Sequence, residues 1–378
     1  MVHILKTRSV HSGRLERYLG DAKCEELSGL MKNWYAKPIA LHGVPGAVYV
    51  GKDGDFVGTF REGWETNFID RAVIIKNRMA RAMRIATREN QNKLNAGFAS
   101  LSDLIAEATG GKKQTISYQK TGPTGVASVT SSLWRLGSAP AAGTTPSAAP
   151  GGNAPTSATT GSLVYSNAGS GDTLHLVSST GVATVAGMSL LLYDRIFHVA
   201  KTINSTATEA VTGAPTRYQS TTGGAADSAE GNFLFVEVGG TALAATAHNW
   251  TVCTYTDHAG NAATLPSLTG NSGAIVDRLD HPAGQWFAPL AAGDSGIRTL
   301  TQMQCSAAVA TGAVNFVIGH PIAWMVHPLA NQVVVMDYVN TAFNLERIFD
   351  DACLAFLEPM KNATTATTFS GIINVVSG

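Results

Sequence analysis

The tetrapeptide Gly293-Asp294-Ser295-Gly296 matches the core of a trypsin-like nucleophile loop. Serine chemistry of that kind needs a base to take the hydroxyl proton and a carboxylate to orient the base. His248 stands in an Ala-His context, and Asp257, Asp277 and Asp280 lie between it and Ser295. The 47 residues from His248 to Ser295 are too few for the double barrel that must separate such a pair, and Ile297 stands where a further glycine belongs. A turn of small residues accounts for the motif, and the chain is expected not to be an enzyme.

Other spellings give less. Ten histidines include His320 and His327, seven apart across Pro321, but no His-x-x-x-His or His-Glu-x-x-His. Asp277-x-x-Asp280-His281 offers oxygen and nitrogen ligands for a hard cation, yet reads better as a solvated loop. Gly110-Gly111-Lys112-Lys113 lacks the first glycine of a phosphate loop, Ala106 taking its place, and follows a helix instead of a strand. Asp53-Gly54-Asp55 opens like a calcium loop without the closing glutamate, so a hairpin turn is the better reading. Cys24, Cys253, Cys305 and Cys353 form no C-x-x-C and are expected as buried free thiols. No cofactor or metal is expected.

One charged constellation has content. Between Trp64 and Leu94, Phe68, Ala72, Ile75, Met79, Ala82, Met83 and Ala86 fall on one arc of a helix. Arg71, Arg78, Arg81, Arg84 and Arg88 occupy the other side. The stripe suits a solvated face, an acidic neighbouring subunit or, ranked last, the backbone of nucleic acid. Phe68, Ile75, Met79 and Met83 are the residues expected to anchor the helix by burial.

These features sit in a chain of two chemical characters. The first 120 residues hold 19 of the 27 Lys and Arg and 12 of the 27 Asp and Glu, so overall neutrality is a cancellation. Charged residues are only 14 % of the whole, against a usual figure of about 25 %. Such a shortage fits a surface covered by other subunits, or alternatively a secreted β-domain coated with Ser, Thr and Asn. The N-terminus has no apolar core of signal-peptide length, and no apolar run reaches the roughly 18 residues of a membrane span, so the product is expected to be made and kept in a cytoplasm until assembly.

The elements expected are a short helix within Leu15–Trp34, a hairpin around Lys52–Asp55, the helix 64–94, and a helix from Ser102 to Ala108 stopped by Gly110-Gly111. Period-two runs then predict strands at Thr115–Gln119, Ser131–Leu136, Gly161–Tyr165, Met188–Tyr193, Asn232–Val238, Asn249–Tyr255, Gly296–Gln304, Val314–Ile318 and Asn331–Met336. A helix over Asn344–Glu358 and a strand over Gly371–Val376 are expected to close the chain. Residues 137–160, rich in Ala, Gly, Pro and Thr, predict a linker or surface loop whose deletion is nearly neutral. The fold class is therefore α+β: a basic helical N-terminal arm, residues 1–110, followed by a mainly antiparallel β-sandwich or jelly-roll-like domain, residues 111–378.

From Ala99 onward the chain resembles virion structural proteins of tailed bacteriophages. The resemblance rests on Ser100-Leu-Ser-Asp-Leu-Ile-Ala-Glu-Ala-Thr-Gly-Gly-Lys112, the strand Gln114–Gln119, Ser132-Leu-Trp134, the Ala/Gly/Pro/Thr-rich loop, Leu290-Ala-Ala-Gly-Asp-Ser-Gly-Ile-Arg298 and Arg347-Ile-Phe-Asp-Asp-Ala-Cys-Leu-Ala-Phe356. These are scattered similarities over residues 99–378 with no single diagnostic motif. The resemblance implies a capsid decoration or cement protein, a homotrimer that stiffens the head shell. A major capsid protein, a tail or baseplate component and a tail-spike glycan hydrolase follow in that order. It implies other copies of the chain and the major capsid protein as partners, no membrane, and the virion as location.

Overall fold

The computed structural model describes residues 48–50, 56–59, 97–98, 100–124, 126, 128–341, 345–359 and 365–378. The chain divides into two units, Met1–Leu94 and Asn95–Gly378. In the first, β1 (Val48–Val50) and β2 (Phe56–Thr59) pair antiparallel with Val48 opposite Thr59, as the hairpin reading requires. The helices expected within 15–34 and 64–94 lie outside the described residues.

The second unit opens with α1 (Leu101–Glu107). The Ser100 hydroxyl accepts the Asp103 N–H at 3.1 Å, and Gly111 ends the following turn at φ 97°. Leu104 buries against Phe98 and Val376, so this helix, assigned above to the arm, belongs with the β-rich unit.

Three antiparallel sheets follow. The central one holds β4 (Ser131–Ser132), β7 (Met188–Thr202), β9 (Phe233–Val238), β14 (Ala313–His327) and β17 (Leu354–Glu358), in the order β4-β17-β7-β14-β9. A second comprises β3 (Lys113–Thr121), β5 (Ser138–Ala139), β6 (Leu174–Ala183), β15 (Val334–Asp337), β16 (Arg347–Ile348) and β18 (Thr368–Ser377). The third comprises β8 (Glu209–Ala210), β10 (Asn249–Asp257), β11 (Ala262–Thr264), β12 (Leu268–Thr269) and β13 (Ile297–Cys305).

The 15-residue strands β7 and β14 are long enough to serve two cores. Leu190, Leu192, Ile322 and Met325 meet Ile116, Leu176, Phe369 and Ile373 of the second sheet. Further along, Val199, Val314, Phe316 and Ile318 meet Trp250, Tyr255, Leu300 and Met303 of the third. The opposite face of the central sheet is covered too, by Trp134, Leu279 and Trp286 over Tyr193, Phe235 and Val317. Burial on both faces explains why Leu190–Tyr193 of β7 and Phe233–Val236 of β9 are unbroken apolar runs within strands expected from period-two spacing.

The strand expected at Gly161–Tyr165 does not form, although Leu163 N–H donates to Leu354 O at 3.0 Å, and the one expected at Ser131–Leu136 shrinks to β4. Two further expectations fail for identifiable reasons. Asn344–Glu358 is not a helix: β16 pairs with β6, Asp351 turns the chain at φ 60°, and β17 pairs with β7. All five β17 residues are buried, and a short apolar run buried on both sides has no period to separate strand from helix. Residues 137–160, moreover, are no detached loop. β17 flanks β7 only over Leu191–Asp194, and beyond that the loop takes its place. Ala149 N–H donates to Ala200 O at 3.0 Å, Ala200 N–H to Ser147 O at 2.9 Å, and the Asn153 and His198 backbones exchange bonds at 2.8 and 2.9 Å. Pro146 and Pro155 are buried.

Deleting 147–153 removes these four backbone bonds, each contributing about 0.5–1.5 kcal/mol. Chemical denaturation is expected to show a loss of about 2–5 kcal/mol, where a detached loop shows less than about 0.5 kcal/mol.

Candidate functional site

The Gly293–Gly296 turn leads into β13, and its glycines are explained by backbone geometry. Gly293 sits at φ 96°, while a Cβ on Gly296 would lie 1.9 Å from Ala229 O. Asp294 N–H donates to Ala291 O, and Gly231 N–H to Ser295 O at 2.9 Å. The motif is the spelling of a tight turn pressed against a neighbouring backbone.

The histidine weighed as a base for Ser295 is committed elsewhere. His248 Nε2 is 3.0 Å from Asp280 Oδ2, and its Nδ1 is 2.9 Å from Thr246 O. Both partners only accept, an arrangement that favours the ring with both nitrogens protonated. The Asp280 hydrogen bond accordingly raises the His248 pKa, and both ring nitrogens are engaged away from Ser295. Burial alone would push Asp280 up, but bonds from His248, the Asn271 N–H at 2.6 Å and the Trp250 indole at 2.8 Å hold its pKa down. The imidazole near Ser295 is that of His258, which accepts the serine's backbone N–H at 3.3 Å.

The cation reading of Asp277-x-x-Asp280-His281 meets the same obstacle. Asp280 is consumed as described, His281 Nε2 accepts Val236 N–H at 2.8 Å, and burial raises Asp277 to about 6. Among the described residues no group of three His, Cys, Asp or Glu is placed to hold a metal ion. Cys253, Cys305 and Cys353 are buried free thiols, as expected; Cys24 lies outside the described residues.

Asp294 and Ser295 do line a cleft of about 280 Å³, with Phe233, Trp286, Phe287 and Leu290 as its apolar walls. Trp286 is the centre of an aromatic group: its ring lies 5.0 Å from Phe233, 4.7 Å from Phe287 and 5.6 Å from Trp324. β9 and β14 supply Phe233 and Trp324, and the segment before the turn supplies the other two. Asp294 Oδ2 accepts the Tyr255 hydroxyl at 2.5 Å, and that hydroxyl accepts Ala291 N–H at 2.9 Å, which fixes the carboxylate. The sequence reading passed over these aromatics. The adjacent pair Trp286-Phe287 in a Pro/Gly-rich stretch was the available signal, and only pairing of β9 with β14 brings it to Phe233 and Trp324.

The proposed anchoring residues Phe68, Arg71, Ile75, Arg78, Met79, Arg81, Met83, Arg84 and Arg88 all lie outside the described residues. Among the described residues no helix is long and apolar enough to cross a membrane.

No family model and no curated protein matches the chain. Among solved structures it is similar to the infectious bursal disease virus VP2 subviral particle, at 10 % identity over 70 % of this chain and 81 % of that one, with a TM-score of 0.14. The same virus's Gt strain gives 7 % identity, 70 % and 80 % coverage and a TM-score of 0.16. A β-porphyranase from the gut bacterium Bacteroides plebeius gives 10 %, 71 % and 93 %, and 0.11. Likenesses at these scores carry no argument about fold or function.

Two outcomes are expected. A fluorophosphonate probe leaves Ser295 unlabelled in the folded protein, as intact-mass measurement will read. The raised His248 pKa makes its contribution to stability complete below the ordinary value near 6.5 and lost as pH rises through the folded value; the lowered Asp280 pKa removes its share as pH falls through that value. The stability gap between the native chain and His248→Gln is therefore larger at about pH 5.5 than at about pH 9, measured by urea unfolding.

Proposed function

We propose that this chain is a non-enzymatic virion structural protein of the tailed-phage kind, acting as a decoration or cement protein on the head shell. The observation that carries the reading is where the charges are. After residue 120, no Lys or Arg among the described residues is exposed: Arg195, Lys201 and Arg217 are buried, and Arg135, Arg278, Arg298 and Arg347 are half-buried. Asp194, Glu237, Asp257, Asp280 and Glu358 are buried as well. A chain already poor in charge thus spends much of it inside, leaving Ser, Thr, Ala and Gly outside. A free monomer gains little solubility from such a surface, whereas a subunit covered by neighbours does not need the charge.

The outer face of the six-stranded sheet has the same character. Thr115, Ser117, Gln119 and Thr121 of β3 are exposed, as are Val335 of β15 and Ile372 of β18. Partners on this reading are other copies of the chain, in a trimer, and the major capsid protein. The helical arm, now ending at Leu94 because α1 packs in the β-rich unit, and the jelly-roll-like character belong to the same proposal. The arm's excess of positive charge suits the acidic surface of a neighbouring copy, whose β-rich unit exposes Asp227, Asp350 and Asp351. A major capsid protein is the second reading, favoured by the β1–β2 hairpin just before the expected helix.

The test is a chain starting at Asn95, which keeps Phe98 in its core and the Gly97 N–H bond to His175 Nε2 at 3.1 Å. Mixed with undecorated particles, it is expected to stay folded and soluble but no longer to attach, by sedimentation. Undiminished attachment moves the docking surface to the β-rich unit and ends the anchoring role of the arm. Cryo-EM of particles carrying the full chain then separates a head lattice from a tail ring.

A further inference from the structure

We propose that the cleft beside Asp294 and Ser295 is a binding site for neutral pyranose oligosaccharides. Three aromatic rings, Phe233, Trp286 and Phe287, line it, and Trp324 packs on Trp286 beside it; Phe287 is 39 % exposed and Trp324 36 %. Grouped exposed aromatic surface is uncommon on a protein and marks a contact site. Aromatic residues are only 7 % of this chain, so the grouping is not a by-product of composition.

The polar side of the cleft narrows the ligand class. Asp294 Oδ2 is held by Tyr255, while Oδ1 takes no protein hydrogen bond among the described residues. Ser295 is exposed, and its hydroxyl is likewise unbonded. A fixed carboxylate oxygen beside a free hydroxyl accepts from, and donates to, neighbouring hydroxyl groups on a ring. Aromatic faces carry negative quadrupole charge and attract the polarised C–H face of a pyranose. A ligand with one C–H face and a rim of hydroxyls matches both halves of the site.

Charge excludes the anionic relatives of that class. Among the described residues no Lys or Arg lines the cleft while Asp294 does, so its wall offers a sulfate, phosphate or uronate no basic partner. The volume of about 280 Å³ lies just below the usual range of ligand pockets, about 300–1,000 Å³, and suits a single ring. Glycoside cleavage needs two carboxyl groups about the scissile bond, and one lines this cleft, so the site binds without cutting. This inference is independent of the decoration reading and holds wherever the chain sits in an assembly.

The experiment uses the full chain and four neutral probes: maltohexaose, cellohexaose, xylohexaose and chitohexaose, each titrated against intrinsic tryptophan fluorescence, with a heparin hexasaccharide as the charged comparison. At least one neutral probe is expected to give a saturable change, and the heparin fragment none. Phe287→Ala is expected to weaken that binding at least tenfold and Asp294→Asn about threefold or more. Val335→Ser, on a different sheet, is expected to leave it unchanged. Thermal unfolding of each variant separates lost binding from lost folding, and Phe287 is exposed enough that its truncation leaves the core intact. Absence of a saturable response to all four neutral probes, a response that survives both Phe287→Ala and Asp294→Asn, or tighter binding of the heparin fragment would each overturn the proposal.

Discussion

A buried ion pair in the central sheet sets the terms for much of the β-rich unit. Arg195 on β7 and Glu237 on β9 are 0 % and 1 % exposed and joined by two bonds, Nη2 to Oε1 at 2.6 Å and Nη1 to Oε2 at 3.1 Å, across the intervening β14. Taking two charges out of water costs several kcal/mol per ion, recovered only if the remaining hydrogen-bonding capacity is met. Here it is. Arg195 Nε donates to His198 Nδ1 at 2.8 Å, Asn315 Nδ2 donates to Glu237 Oε1 at 2.9 Å, and the Trp134 ring lies 4.7 Å from the guanidinium. Burial and the arginine together press the His198 pKa to about 2, so its imidazole stays neutral and keeps the lone pair that accepts from Arg195.

That pair explains why the low-complexity segment is ordered. Trp134, placed over Arg195, donates its indole N–H to Thr144 O at 2.9 Å, and a Cβ on Gly143 would fall 2.1 Å from its ring. A second ion pair works the same way. Arg217 grips Asp194 through two bonds of 2.7 and 2.8 Å and reaches Pro155 O at 2.9 Å, while Asp194 also accepts Cys353 N–H at 2.8 Å. The Ala/Gly/Pro composition that looks like a linker is what a segment needs to lie flat against an aromatic ring and a strand edge. Small residues permit the approach, and prolines lower the entropy lost on ordering.

The same economy of charge links structure to the functional reading. Internal struts absorb Arg195, Arg217, Asp194, Glu237, His248 and Asp280, so that among the described residues after 120 no Lys or Arg is exposed and hydroxyls and small apolar groups dominate the outside, with the aromatic cleft among them. Such an outside is suited to contact with large surfaces, through area and hydroxyl bonding more than through ion pairs. The His248–Asp280 pair weighed against Ser295 is one of these buried, fully hydrogen-bonded struts.

The sequence by itself determined what depends on neighbouring residues. Period-two runs located the cores of β3, β7, β9, β10, β13, β14 and β18; Ser100 and Gly111 marked the ends of α1 and its terminal turn; and the spacing from His248 to Ser295 argued against a triad. Tertiary structure decided whatever depends on partners far along the chain. Leu354–Glu358 is a strand because β7 offers it an edge, and β6 went unseen because Ser178, Ser179 and Thr180 interrupt its apolar pattern while cross-strand pairing with β18 holds it. Residues 137–160 are ordered because Trp134 and the free edge of β7 receive them. The aromatic group beside the cleft forms because β9 lies next to β14, which brings Phe233 and Trp324 to Trp286. Local periodicity records which face of an element is apolar, but it carries no information about which buried charge, ring or strand edge will meet that face. Those meetings are fixed only when the sheets close.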